Sequence, residues 1–146
     1  IPLNTDSTIK GQTVFLAERA AELMNEKIIT DRTVIDVMAF TNLAQSIPIH
    51  QSEDFNQHAA NLLPEYDYIF YISPKGVDIE NNGIRETDAE YRNEIDKEIL
   101  RLISKYRHKF KRFIEIEGTT EERIKIVRDT IFPQIPTFRS SPLIIR

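Results

Sequence analysis

Apolar residues recur at three- and four-residue spacing in five stretches of the chain and cluster into short runs in three others, a pattern that predicts helices alternating with strands. Residues 12–26 carry Val14, Ala17, Ala21 and Met24 in one stripe, with Leu16, Ala20 and Leu23 beside it and Glu18, Glu22 and Asn25 opposite. This predicts a half-buried helix. Lys27-Ile28-Ile29-Thr30 reads as a short strand, and 33–46 as a second helix burying Val34, Val37, Met38 and Leu43. Pro48 breaks that helix, and Ser52 is placed to cap a third one reaching about Leu63, ahead of Pro64. Tyr68-Ile69-Phe70-Tyr71-Ile72 is the clearest strand. It is β-branched and aromatic, apolar on both faces and closed by Ser73-Pro74-Lys75-Gly76, as in a buried strand of a parallel sheet.

A mostly polar stretch, 78–83, leads into a long helix over 86–106 whose stripe is Ile95, Ile99, Leu102, Ile103 and Tyr106. Its first two turns carry almost no core residues and are free to face a ligand or solvent. Phe113-Ile114-Glu115-Ile116 forms a third strand. Thr119 or Thr120 opens a last helix, with Glu121 and Glu122 complementing its dipole and Ile124, Val127, Ile131 and Phe132 pointing inward. Pro133, Pro136 and Pro142 argue against regular structure beyond it, so the expected division is an α/β domain over 1–132 and a proline-containing tail over 133–146 that wraps the domain or docks on a partner. Strands separated by helices imply a three-layer sandwich around a mostly parallel sheet.

Composition narrows the classes of function. The chain has 146 residues, 40% hydrophobic and 29% charged, with a formal charge of -4, enough for one domain with its own core. The absence of cysteine excludes a disulfide framework, a thiolate metal site and a cysteine nucleophile, and suits a reducing cytoplasm. The longest apolar run is five residues, far short of the ~18 a membrane span needs. Ile1 to Asp6 have neither the basic start nor the apolar run of a secretory signal. The first residue is not Met, which leads us to expect a piece of a longer product.

Three groups of residues could carry chemistry. Thr30-Asp31-Arg32-Thr33 follows the first predicted strand, and ligands of open parallel sheets bind at the carboxyl ends of strands. There a carboxylate can hold magnesium through water or accept a hydroxyl proton, and a guanidinium can grip a phosphate through two hydrogen bonds. The plainer alternative has Asp31 capping the next helix and Arg32 on the surface. In Gly83-Ile84-Arg85-Glu86-Thr87-Asp88-Ala89-Glu90-Tyr91-Arg92 the two arginines are seven positions apart, close to one helical face if both are helical. Such a pair can straddle a polyphosphate; pairing with Glu86, Asp88 or Glu90 is the alternative. Lys105 to Phe113 interleaves basic and aromatic residues, which could serve nucleic acid, but the acidic balance favours a solvated helix end with its aromatics in the core. His50, His58 and His108 have no metal-ligand spacing.

Ile28-Ile29-Thr30-Asp31-Arg32, the Tyr68 to Pro74 strand, the Gly83 to Arg92 segment and Glu117-Gly118-Thr119-Thr120-Glu121-Glu122-Arg123 stand in the order found in P-loop nucleoside and nucleotide kinases. Over about residues 11–132 the chain resembles the AAA-type ATPase/kinase family related to the kinase domain of the bifunctional NAD-biosynthesis regulator, which phosphorylates nicotinamide riboside. The resemblance implies a P-loop NTPase-like fold, ATP and Mg as cofactors, and a nucleoside-like small-molecule substrate. By the same resemblance Asp31 is the magnesium-linked or base carboxylate, Arg32 a substrate-phosphate or hydroxyl-site contact, Arg85 and Arg92 are lid contacts to the nucleotide, and Gly118, Thr119 and Thr120 lie near the adenine.

No G-x-x-x-x-G-K-[ST] occurs in the 146 residues, so the main phosphate cradle is missing together with the amino-terminal strand and loop that carry it in the family. Loss of an inner strand would leave strand edges unpaired. Three explanations stay open: a fragment, a partner chain that supplies the P-loop, or a rearranged sheet. Two functions follow, phosphoryl transfer to a nucleoside- or nucleotide-like substrate, or a non-catalytic kinase-like module that recognises a nucleotide, a protein or nucleic acid.

Overall fold

A computed structural model describes residues 1–74 and 86–132, without the side chains of Glu86 and Thr87. Five helices, α1 (Ile9–Glu22), α2 (Val34–Leu43), α3 (Ile49–Ala60), α4 (Glu86–Tyr106) and α5 (Thr120–Ile131), and two strands, β1 (Ile69–Ile72) and β2 (Phe113–Ile116), make up its regular structure among the described residues, with three short 3-10 turns. The chain divides into two units, Ile1–Asp67 with Asn82–Lys111, and Tyr68–Asn81 with Arg112–Arg146. The predicted tail at 133–146 lies outside the described residues.

The first unit is built around α2, which packs against α1, α3 and α4. Val34, Met38, Ala39 and Thr41 are wholly enclosed, and Ile35 and Val37 nearly so. A helix apolar almost all round is stable only as the centre of a bundle. Its start is fixed three ways. Thr33 and Asp36 form a capping box in which the Thr33 amide donates to Asp36 Oδ2 (2.8 Å), and the Ile35 amide donates to Thr33 Oγ1 (3.1 Å). The Val34 amide donates to the hydroxyl of buried Tyr66 (3.2 Å). Desolvation pushes that phenol up to about 12, so it stays neutral at physiological pH.

Two expectations for the first unit need correction. The buried face of α1 is not the Val14–Ala17–Ala21–Met24 stripe: Val14 is 43% and Met24 86% exposed, while Gly11, Gln12 and Leu16 are buried. The cause is a polar side chain in the core. Gln12 Nε2 donates to Val37 O (3.3 Å) and Thr41 Oγ1 (3.1 Å), and this rotates the helix away from its purely apolar stripe. Lys27 to Thr30 is likewise not a strand; Lys27 has φ 55° and Ile28 and Ile29 are exposed. A strand requires a neighbour to pair with, and among the described residues pairing occurs only between β1 and β2. A smaller correction concerns α3, which begins three residues before Ser52, behind Pro48 at φ -60°; Ser52 Oγ donates to Ile49 O (2.8 Å) from within the helix.

α4 matches its predicted span, and Ile95, Leu102, Ile103 and Tyr106 are buried as its stripe requires. A polar chain ties three helices together. Asn56 Nδ2 donates to Asn42 Oδ1 (2.6 Å), Asn42 Nδ2 donates to Glu98 Oε1 (2.9 Å), and Arg101 holds the same carboxylate. Burial works to raise the Glu98 carboxyl, but the bonds from Arg101 and Asn42, aided by the Arg101 and Lys105 charges, outweigh it and hold the group below its ordinary range. A depressed folded-state value contributes stability above the unfolded carboxylate range and loses it as pH falls through the folded value. Glu98→Gln is therefore expected to lower stability at pH 7 by about 1 kcal/mol, with the deficit shrinking as pH falls below ~4. Thermal unfolding of both proteins between pH 7 and 3 checks this.

In the second unit β1 and β2 run parallel, with Ile69 opposite Phe113 and Ile72 opposite Ile116. The predicted parallel sheet is thus present as one pair, in an α/β chain. Ile69, Tyr71 and Ile116 are buried, whereas Ile72 is exposed, so β1 is covered more fully on one face than its sequence implies. α5 begins behind Thr119, as predicted, with Glu121 and Glu122 in its first turn. Ile124 is exposed rather than inward, and Val127, Ile131 and Phe132 are half-buried.

Candidate functional site

The backbone leaving α1 reaches α2 through a bend in which Thr30 Oγ1 donates to Arg32 O (2.7 Å). Because the capping box and Tyr66 anchor the next residues, Asp31 and Arg32 are held immediately ahead of a rigid helix start. Both side chains are exposed. Asp31 is not the cap, since Thr33 fills that role. The Arg32 guanidinium lies over the Phe40 ring, 5.6 Å from its centroid, and makes no ion pair among the described residues.

Arg32 and Phe40 line an open cleft of about 580 Å³ together with Asp88, Tyr91, Arg92 and Ile95. That volume lies within the range of small-molecule sites. Phe40 and Tyr91 meet at 6.3 Å between centroids, tilted by 39°. Ile95 and Ile99 supply apolar wall, and Asn4 and Asp96 complete the lining. The first two turns of α4, expected to face a ligand or solvent, are on this cleft. Arg92 is exposed and makes no ion pair with Asp88 or Glu90, while Arg85 and the Glu86 side chain lie outside what the structure describes. Two guanidinium groups from segments sixty residues apart in the chain therefore converge on one cleft.

A smaller cavity of about 230 Å³ shares Asn4, Arg32 and Phe40 and continues past Gln12, Arg19 and Asp36. Burial raises the Asp36 carboxyl despite the Thr33 amide and the nearby Arg32 charge. Arg19 is engaged by Glu22 at 2.8 Å.

The other predicted residues fall elsewhere. Arg85 lies outside the described residues. Gly118, Thr119 and Thr120 belong to the second unit. Gly118 has φ +110°, a region that favours glycine, and its carbonyl accepts from Arg123 Nε (2.9 Å); Thr119 Oγ1 accepts from the Glu122 amide (3.2 Å). These bonds form the start of α5. Tyr106 and Phe110 of the basic-aromatic cluster are buried, and Lys105, Arg107, His108, Lys111 and Arg112 are exposed. Sequence reasoning missed Phe40 and Tyr91. Tyr91 was legible, because it extends the Ile95–Ile99 stripe by one turn; Phe40 carried no comparable signal.

No cluster of three or more potential metal ligands occurs among the described residues. Magnesium in nucleotide sites is commonly held by one or two carboxylates, with phosphates and water completing the shell. An exposed carboxylate such as Asp31 is of the residue type that could do so. Triphosphate is a poorer fit, because arginines are present but the backbone cradle of a P-loop is not in this sequence.

An α/β chain with a parallel strand pair and a carboxylate and two arginines beside a cleft has the coarse features of a P-loop-type nucleotide-handling domain. A family model described as AAA domain matches residues 6–123, most of the chain, and the protein belongs to that family. No curated protein and no solved structure matches the chain. Family membership supports nucleotide binding or hydrolysis. No helix among the described residues is long and apolar enough to cross a membrane.

Proposed function

We propose that this AAA-family chain forms the carboxy-terminal part of an ATP-dependent kinase acting on a small nucleoside- or nucleotide-like acceptor, with magnesium. The observation that carries this reading is that Arg32 and Arg92, neither in an ion pair among the described residues, line one cleft, with Asp31 preceding Arg32 in the chain. Bound Mg-ATP supplies the transferable phosphoryl group. Asp31 would take the proton of an acceptor hydroxyl or hold magnesium through water, with ADP as the leaving group. Arg32 and Arg92 neutralise charge on the transferred group, and Arg85 joins Arg92 in a lid that excludes water. The P-loop and its strand come from another segment or a partner chain, and complete a three-layer sandwich.

The missing cradle favours a second reading, a non-catalytic module that binds a nucleotide without turning it over. Titration with ATP, with and without magnesium and with a P-loop-bearing segment present, tests the first reading. The Arg85→Ala plus Arg92→Ala double variant is expected to bind Mg-ATP at least tenfold more weakly; unchanged affinity removes the lid assignment.

A further inference from the structure

We infer that the open side of α5 is a docking surface for the chain's own residues 133–146, with Ile135 and Phe138 covering Ile131 and Ile124 and with Arg139 meeting the carboxylates of the first turn. The inference concerns the second unit alone and does not depend on the kinase reading.

α5 supplies the surface. Ile124, Val127, Ile131 and Phe132 recur at helical spacing, the pattern of a face that packs. Yet no residue of α5 is buried; Ile124 is 51% exposed, and Val127, Ile131 and Phe132 are half-buried. A helix of twelve residues is marginal by itself in water and is held by whatever covers its apolar face. Arg123 secures one side of α5 through the Gly118 carbonyl (2.9 Å) and leaves the Ile124 side open among the described residues.

The occupant is the segment that leaves the end of this helix. Residues 133–146 hold Ile135, Phe138, Leu143, Ile144 and Ile145, and just two charged side chains, Arg139 and Arg146. Pro133 stands directly after the helix, where proline stops a helix and lets the chain reverse. Pro133 and Pro136 favour a polyproline II path, whose three-residue turn puts Ile135 and Phe138 on one side about 9 Å apart. Ile131 and Ile124 are seven residues apart on α5, or about 10 Å. The two spacings match. In that register Arg139 comes level with the first turn of α5, where Glu121 and Glu122 are exposed, so positive charge meets negative.

The test uses the full chain. It contains no cysteine, so an introduced pair reports on itself alone. Under mild oxidation, Ile124→Cys with Phe138→Cys is expected to close an intramolecular disulfide at least tenfold faster than Ile126→Cys with Phe138→Cys. Ile126 is the control because it lies about 200° round the helix from Ile124. Both helix positions are exposed, which keeps either substitution from unfolding the protein.

A second measurement needs no cross-link. In the Ile135→Ser plus Phe138→Ser variant, the α5 amides should exchange hydrogen at least tenfold faster than in the wild type, with those of α2 unchanged. Equal closure of the two cysteine pairs, or α5 exchange untouched by the double variant, overturns the inference. Cross-linked dimers in place of a closed monomer also overturn it, and would make a second copy of the chain the occupant.

Discussion

Met38→Ala is expected to destabilise the protein by about 2–5 kcal/mol, while Met24→Ala changes stability by less than about 0.5 kcal/mol. The chain has two methionines, and they lie at opposite extremes of burial. Met38 is wholly enclosed in α2, the helix that packs against α1, α3 and α4, whereas Met24 is 86% exposed just beyond α1. Truncating Met38 removes dispersion contacts and leaves a cavity among helices already fixed by the Gln12–Thr41 and Asn42–Glu98 bonds, which limits collapse around it. Urea unfolding monitored by far-ultraviolet circular dichroism compares the two. Equal effects would show that the bundle is not centred on α2.

Asp31→Asn is expected to lower phosphoryl transfer by about 10²–10⁴-fold with little change in folding stability. The side chain is exposed, and the capping of α2 is performed by Thr33 and Asp36, so the substitution leaves the helix start intact. An amide neither accepts the acceptor's proton nor neutralises magnesium. Steady-state rates with Mg-ATP, alongside thermal unfolding, separate the two effects. A rate within a fewfold of wild type would return Asp31 to the role of a surface residue.

Local signals were the most legible part of this chain. The long helix at 86–106, the Pro48 break and the start of α5 behind Thr119 follow from spacing, caps and prolines, each acting within a turn or two. The parallel pairing of β1 and β2 followed from the helix between them. What failed depends on distant partners. Ala17 and Val14 look more buried than Gln12, yet Gln12 goes inside because the Val37 carbonyl and Thr41 hydroxyl await it. Ile28-Ile29 has the composition of a strand, but pairing is a property of a neighbour and not of the segment. The arginines were found by residue type alone. That Arg32 and Arg92 share a cleft, and that Arg32 lies over Phe40, depends on the packing of α2 against α4.

The fate of a labelled γ-phosphate decides between transfer and hydrolysis. With a P-loop-bearing segment supplied, ATP labelled at that position should yield label on a small acceptor, and Asp31→Asn should suppress it. Label recovered solely as inorganic phosphate, whichever acceptor is offered, would make the chain part of a hydrolase and contradict the transfer mechanism.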